Sequence, residues 1–185
     1  MTTTDTLGDA IGLERRKVRI AAHDPRWPGL FAQEAARILD RLGPGDWAIE
    51  HIGSTAVPDL AAKPVIDILL GVASLRAPIA IYDALADLGY AHRPLDDLPD
   101  RLFFVRESEA GRTHNLSVCE AQSPFWSDHL RFHDRLRADV GLARTYEALK
   151  RALAAQFPDD RVRYTWAKDA FVADALRSQG IHSGR

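Results

Sequence analysis

The feature that most constrains this chain is the run Val65-Ile66-Asp67-Ile68-Leu69-Leu70-Gly71-Val72. Eight residues carrying a single charge are short for a helix and too apolar for a strand with one wet face. They read as a strand buried on both sides, which requires helices packed over both faces of its sheet. The lone carboxylate, Asp67, is costly inside such a strand unless it is paired or holds a cation. Any account of the chain has to give Asp67 something to do.

The flanking pattern supplies the sheet and the helices. Val18-Arg19-Ile20 alternates and predicts a short strand. Asp24-Pro25 predicts a helix start, with Asp as cap and Pro in the first turn. Leu30, Phe31, Ala35, Ile38, Leu39 and Leu42 then recur at helical spacing until Gly43-Pro44-Gly45 ends the helix. Residues 47 to 52 predict a strand that runs into Gly53-Ser54-Thr55. Residues 78 to 88 predict a helix with Ile81, Ala84, Leu85 and Leu88 on one face. Pro94 to Asp100 reads as a polar loop, and residues 102–105 and 113–119 as further strands around a turn at Gly111. From Ser123-Pro124 to Arg177 the pattern is helical in three segments, broken near Asp139 to Gly141 and at Pro158-Asp159-Asp160. Strands and helices mixed early, with helices alone late, predict an α/β (α+β) fold: a mixed sheet flanked by helices with a helical C-terminal segment. Residues 17–178 read as one domain, with flexible ends over 1–16 and 179–185.

Composition narrows the function classes. With 46% apolar and 27% charged residues, the chain has an ordinary globular balance. A net charge of −2 gives no reason to expect nucleic acid or an anionic membrane as partner, although a local basic cleft is compatible with it. Cys119 is the single cysteine, which excludes a disulfide framework or a multi-cysteine metal site and reads as a small core residue. No run approaches the roughly 20 apolar residues of a membrane span. Residues 1–9 contain no apolar signal segment, so a cytoplasmic location is expected. A small-molecule ligand is the expected partner, and no feature specifies an oligomer.

The loop before Asp67 carries the chemistry. Gly53 lets a ligand approach the main chain, Ser54 and Thr55 add hydroxyls, and successive N–H groups in such a turn can form an anion-binding nest. The alternative is a plain turn whose hydroxyls cap their own backbone. Residues 55 to 66 are enough chain to bring Asp67 back beside the turn, and Lys63 can supply positive charge. A hydroxyl-rich turn facing a strand aspartate is how many enzymes hold a nucleoside triphosphate and its Mg²⁺. His51, two residues before Gly53, either orients the loop or transfers a proton. Arg112 is a phosphate partner or a surface ion pair, and Arg101 and Arg106 read as solvated strand ends. Tyr164, Lys168 and Phe171 fall at helical spacing, either as a packed face with a snorkelling lysine or with Lys168 turned to the cleft. His129 and His133 have zinc-like i, i+4 spacing without a following Glu or a third ligand, and read as structural. Trp27, Trp47, Trp126 and Trp166 read as packing residues.

The run HIGSTAVPDLAAKPVIDI, residues 51–68, resembles the signature of the GrpB family. HDPRWPGLFAQEAARI, RTHNLSV and YTWAKDAFV extend the resemblance across residues 17–177. The family comprises small bacterial domains, some fused to dephospho-coenzyme A kinase. It is in turn similar to the nucleotidyltransferase superfold, marked by a Gly-Ser turn followed by a strand bearing Asp-x-Asp. The resemblance implies that Gly53, Ser54 and Thr55 cradle phosphate, that Asp67 ligates Mg²⁺ on a nucleoside triphosphate, and that Lys63, Arg112 and Lys168 neutralise charge. His51, Asp67, Asn115 and Ser117 are the implied catalytic positions.

The departures bear on that expectation. Leu69 stands where the second carboxylate belongs. Asn115 and Ser117 replace two histidines of a family H-H-L-H motif, leaving His114. Asp59 replaces a glycine. The function expected is binding of a nucleotide or phosphorylated small molecule, with Mg²⁺-dependent nucleotidyl transfer to a small acceptor. The alternatives are a non-catalytic module that kept the cleft, or a metal-independent transferase or ligase-like enzyme.

Overall fold

The structure, a computed structural model, describes residues 10–76, 79–94 and 99–178. Residues 1–9 and 179–185 of the two expected flexible ends therefore lie outside the described residues, as do residues 95–98 of the expected polar loop. Ala10, Ile11 and Leu13 are buried, so the packed chain begins before residue 17. The Gly12 N–H donates to the Pro64 carbonyl at 2.8 Å, which ties this apolar stretch to the segment entering the Asp67 strand.

Five strands form one mixed sheet: β1 (Ala48–Ile52), β2 (Ile66–Val72), β3 (Tyr90–His92), β4 (Arg101–Ser108) and β5 (Gly111–Glu120), in the order β1-β2-β5-β4-β3. β2 and β5 run parallel, and the other neighbours are antiparallel. The sheet flanked by helices is the predicted architecture. β3, a three-residue edge strand, gave no periodicity signal. Val18–Ile20 does not join the sheet. Val18 instead packs with Leu153 and Tyr164 of the C-terminal helices, its N–H donating to the Pro158 carbonyl at 2.7 Å. An alternating triplet can cover a helical surface as well as pair with a strand.

β2 is buried on both faces, as its composition demands. Ile66, Ile68, Leu70 and Val72 join Phe104, Leu116 and Val118 beneath α1 (Trp27–Leu42) and α2 (Ile79–Asp87), through Trp27, Ile38, Ile81 and Leu85. α1 starts later than Asp24-Pro25 suggests. Pro28 takes the first turn, while Asp24 accepts the Arg26 N–H at 2.9 Å and closes the preceding turn. On the opposite face Leu69 and Cys119 lie under α3 (Pro124–Ala138), against Phe125, Trp126 and Leu130.

The C-terminal part contains four helices, not three: α3, α4 (Val140–Gln156), α5 (Arg161–Trp166) and α6 (Asp169–Arg177). Ser123, Asp139 and Asp160 cap the first three by accepting N–H groups of Trp126, Leu142 and Arg163. The extra break falls at Ala167–Lys168, where no Pro or Gly announces it and no side chain caps α6. Leu136, Tyr146, Val57 and Leu60 tie these helices to the loop between β1 and β2. No described helix is long and apolar enough to cross a membrane.

Removing the α4 cap by Asp139→Ala is expected to cost about 1 kcal/mol, read from urea unfolding. An unchanged midpoint would show that α4 is held by packing alone.

Candidate functional site

β1 ends at Ile52, which pairs in register with Asp67. The next residue, Gly53, has φ 74° and ψ −171°, a region that only glycine occupies without strain. A Cβ at Gly53 would lie 2.5 Å from Asp67 Oδ2, so glycine is required by the close approach as well as by the backbone. The predicted placement of Asp67 beside the Gly-Ser turn is thus met by contact. Ser54–Ala56 make one 3₁₀ turn, and the chain then bends through Asp59 at φ 62°. That left-handed conformation accounts for a position where glycine is the easier residue, and aspartate is among the few others that tolerate it.

On the sheet face shared with Asp67 lie Asn115 and Ser117, paired in register with Asp67 and Leu69. Asn115 Nδ2 donates to Asp67 Oδ1 at 2.8 Å. Arg112 reaches this face because the β4–β5 pairing slips: Arg106 faces His114 but Glu107 faces Arg112, leaving Thr113 as an inserted residue. Its Nη1 lies 3.5 Å from Asn115 Oδ1 and its Nη2 lies 3.7 Å from Glu107, while burial draws its pKa down. His114 points to the α1 side, where it is buried near Tyr90, and burial pushes it down to about 4. The alternation predicted for residues 114–117 therefore holds.

Two predicted ligand-facing residues turn the other way. His51 stacks on Phe31 of α1 with ring centroids 4.7 Å apart, and its Nε2 lies 3.0 Å from Thr55 Oγ1. Thr55 is buried. Of the two readings of His51, this geometry is that of a loop-orienting residue. The Thr55 hydroxyl serves the same contact instead of lining the Asp67 face. Burial pushes His51 down to about 3, so it is neutral at pH 7 and able to hold one orientation of that hydrogen bond.

The positive side of the site is a group of lysines on two tyrosine rings. Lys63 Nζ lies 5.1 Å and Lys168 Nζ 4.8 Å from the ring centroid of buried Tyr164. The one-turn spacing of Tyr164 and Lys168 survives the break between α5 and α6. Lys150 was not anticipated. It is 2% exposed, donates to Ser54 Oγ at 2.8 Å and to the Ala61 carbonyl, and sits 4.9 Å above the Tyr146 ring. A signal for it existed: Tyr146, Lys150, Leu153 and Phe157 follow the spacing of an apolar stripe, and a lysine in a stripe is a charge going inside. Burial, and then the neighbouring Lys168 charge, bring Lys150 and Lys63 down to about 7. Burial also lowers Lys168. None of these lysines makes an ion pair among the described residues.

The Asp67 carboxylate acts on all three lysines, joined by Glu147 at Lys150 and by Asp169 at Lys168. Asp67 has one oxygen already bonded to Asn115, and the next position on its face is Leu69, fully buried. Among the described residues no cluster of three or more His, Cys, Asp or Glu can hold a metal. Mg²⁺ asks for six oxygen ligands, usually with one or two carboxylates, so this donor set does not fit a carboxylate-built Mg²⁺ centre.

The remaining candidates lie elsewhere. His129 Nδ1 lies 2.8 Å from the Phe125 carbonyl and His133 Nε2 lies 3.4 Å from that of Ala56, so the two rings do not converge. Arg101 lies over Phe125. Arg106, read as solvated, instead pairs at 2.7 Å with Glu34, a carboxylate buried in α1 that the sequence reading passed over. Trp166 is 69% exposed and is no packing residue. A groove of about 790 Å³ between the 57–60 loop and α3–α4 includes neither Asp67 nor the lysines in its lining.

The chain belongs to the GrpB protein family, whose sequence model matches residues 17–178. It is 32% identical over 170 residues to the glutamate-rich protein GrpB of Alkalihalophilus pseudofirmus, covering 90% of this chain and 98% of that one. It is 36% identical over 161 residues to YqkA of Bacillus subtilis, covering 87% of this chain but 47% of YqkA, so it spans about half of that relative. A dephospho-CoA kinase of Mycolicibacterium paratuberculosis matches at 31% identity over 89% of this chain and 46% of its own length. The crystal structure of GrpB from Enterococcus faecalis superposes with a TM-score of 0.77 at 30% identity, covering 86% of this chain and 96% of that one.

Gly53→Ala is expected to destabilise the protein by about 1–3 kcal/mol through backbone strain alone, with added displacement of Asp67. Chemical unfolding reads the loss, and wild-type stability would contradict the close contact. The histidine shifts have a definite sign. His114 has a folded pKa of about 4 against an ordinary 6.5, so the unfolded chain binds the extra proton between those values. Its stabilisation is complete above pH 6.5 and is lost as pH falls toward 4. His114→Gln should flatten that part of the stability–pH curve, and an unchanged slope would count against its burial.

Proposed function

We propose that the cleft between the Gly53-Ser54 turn and the Tyr164 lysines binds a phosphorylated small molecule, nucleotides among them. The phosphate lies at Gly53 and Ser54, and Lys63, Lys168 and Arg112 supply the opposing charge. The observation that carries this reading is the gathering of Lys63, Lys150 and Lys168 without an ion-pair partner among the described residues. Crowded like charges, buried as in Lys150 or half-buried as in Lys63 and Lys168, lower stability unless an opposite charge joins them. A multiply charged anion offsets that cost on binding, and a phosphoryl group has the acceptor oxygens to use the donors of Lys63, Lys168 and Arg112. Asp67, held by Asn115, is left with Oδ2 toward Gly53, where it can accept a hydrogen bond from a ligand hydroxyl. A cytoplasmic setting, where phosphorylated small molecules are abundant, fits this reading.

Mg²⁺-dependent nucleotidyl transfer from a nucleoside triphosphate is the second reading. It is favoured by the contact of Asp67 with the glycine turn and opposed by the donor set of one carboxylate, Asn115 and Ser117. Without turnover the domain is a binding module that uses the same residues.

Calorimetric titration with nucleoside triphosphates, coenzyme A and pyrophosphate, each in Mg²⁺ and in EDTA, separates the readings. Binding that survives EDTA and weakens about tenfold in Lys168→Ala is the expected result. Binding that requires Mg²⁺ and disappears in Asp67→Asn would favour the second reading. No binding of any of these anions would overturn the first.

A further inference from the structure

Lys150 is a buried lysine whose ammonium has no room for a ligand of its own. One N–H goes to Ser54 Oγ at 2.8 Å, another to the Ala61 carbonyl, and the ring of Tyr146 lies 4.9 Å away. In its ammonium form Lys150 only donates, so the Ser54 oxygen accepts from it and its hydroxyl hydrogen is left to be given elsewhere. Glu147, one turn earlier on α4, accepts the Ala61 N–H at 3.1 Å. The same helix therefore grips both polar groups of Ala61 and, through Lys150, the hydroxyl that begins the loop.

We infer that Lys150 is a positioning residue for the anion site: it fixes Ser54 as a hydrogen-bond donor toward the ligand and pins both ends of the 54–61 loop to α4. This rests on the reading of the cleft as an anion site. Burial pushes the Tyr146 phenol up, and its interaction with Ser54 draws it partly back down. The arrangement selects ligands whose facing atoms are acceptors only, as in an ionised phosphoryl group, and disfavours a neutral hydroxyl or amide at that point. Lys168, Glu147, Arg151 and Asp67 set the field around Lys150, with burial the largest influence.

Two measurements test this. The first needs no ligand: NMR titration of the Lys150 side chain in the wild-type protein and in Ser54→Ala, which leaves the buried ammonium in place. Loss of the serine acceptor should move the Lys150 midpoint further down from about 7, and identical titrations would overturn the coupling. The second is a double-mutant cycle on pyrophosphate affinity with Ser54→Ala and Lys150→Met. Each single variant should weaken binding about tenfold, and the double variant no more than either. Fully additive losses would show that Lys150 acts independently of Ser54. Absence of any pyrophosphate binding by the wild type would sink the anion-site reading, and with it the anion-directed role. The NMR arm would still decide the coupling of the two residues.

Discussion

The contact between Gly53 and Asp67 is the constraint on which the rest depends. Asp67 is the half-buried residue of an otherwise buried strand, and the protein meets its two oxygens differently. Asn115 on the parallel neighbour donates to one oxygen, and the glycine turn leaves room for the other. The β1–β2 register then fixes where Ser54 begins, and the loop that follows must return to β2 within the reach of α4. Close packing of Leu69 beneath α3 prevents the strand from sliding to another register.

The proposed anion site rests on a gathering of positive groups, not on a metal-binding cluster among the described residues. Asp67 is occupied on one side by Asn115, with Glu147 and Asp169 at the margin, while Lys63, Lys150 and Lys168 crowd two tyrosine rings with Arg112 nearby. Aromatic faces stabilise each ammonium by about 0.5–2 kcal/mol, yet burial still draws the buried Lys150 and the half-buried Lys63 down to about 7 and lowers Lys168 as well. The proposed anion would offset that cost. The lysines play different parts, however: Lys150 spends donors on the loop, whereas Lys63 and Lys168 make no hydrogen bond among the described residues and keep their donors for a ligand.

Much of this was legible in the sequence where a single residue faced a single physical demand. The apolar run with Asp67, the glycine of the turn, and the alternation that separates His114 from Asn115 and Ser117 could each be read locally. His51 and Thr55 were placed near the turn correctly, but the face they point to depends on β1 pairing with β2 and on Phe31 in α1. Lys150 lies 96 positions from Ser54, and only its place in an apolar stripe hinted at burial. The Arg112 side depends on a bulge at Thr113, which no short-range pattern announces. The extra break before α6 likewise lacks a Pro, a Gly or a cap. Long-range partners, not local propensity, decided each of these.

The most direct measurement of the central claim is a crystal structure of the protein soaked with tungstate in EDTA, read by anomalous scattering. The expected result is a tungsten site within hydrogen-bonding reach of Ser54 Oγ and of the Lys63 or Lys168 ammonium, with Lys150 still bonded to Ser54. An empty cleft with anions bound only at surface arginines would contradict it.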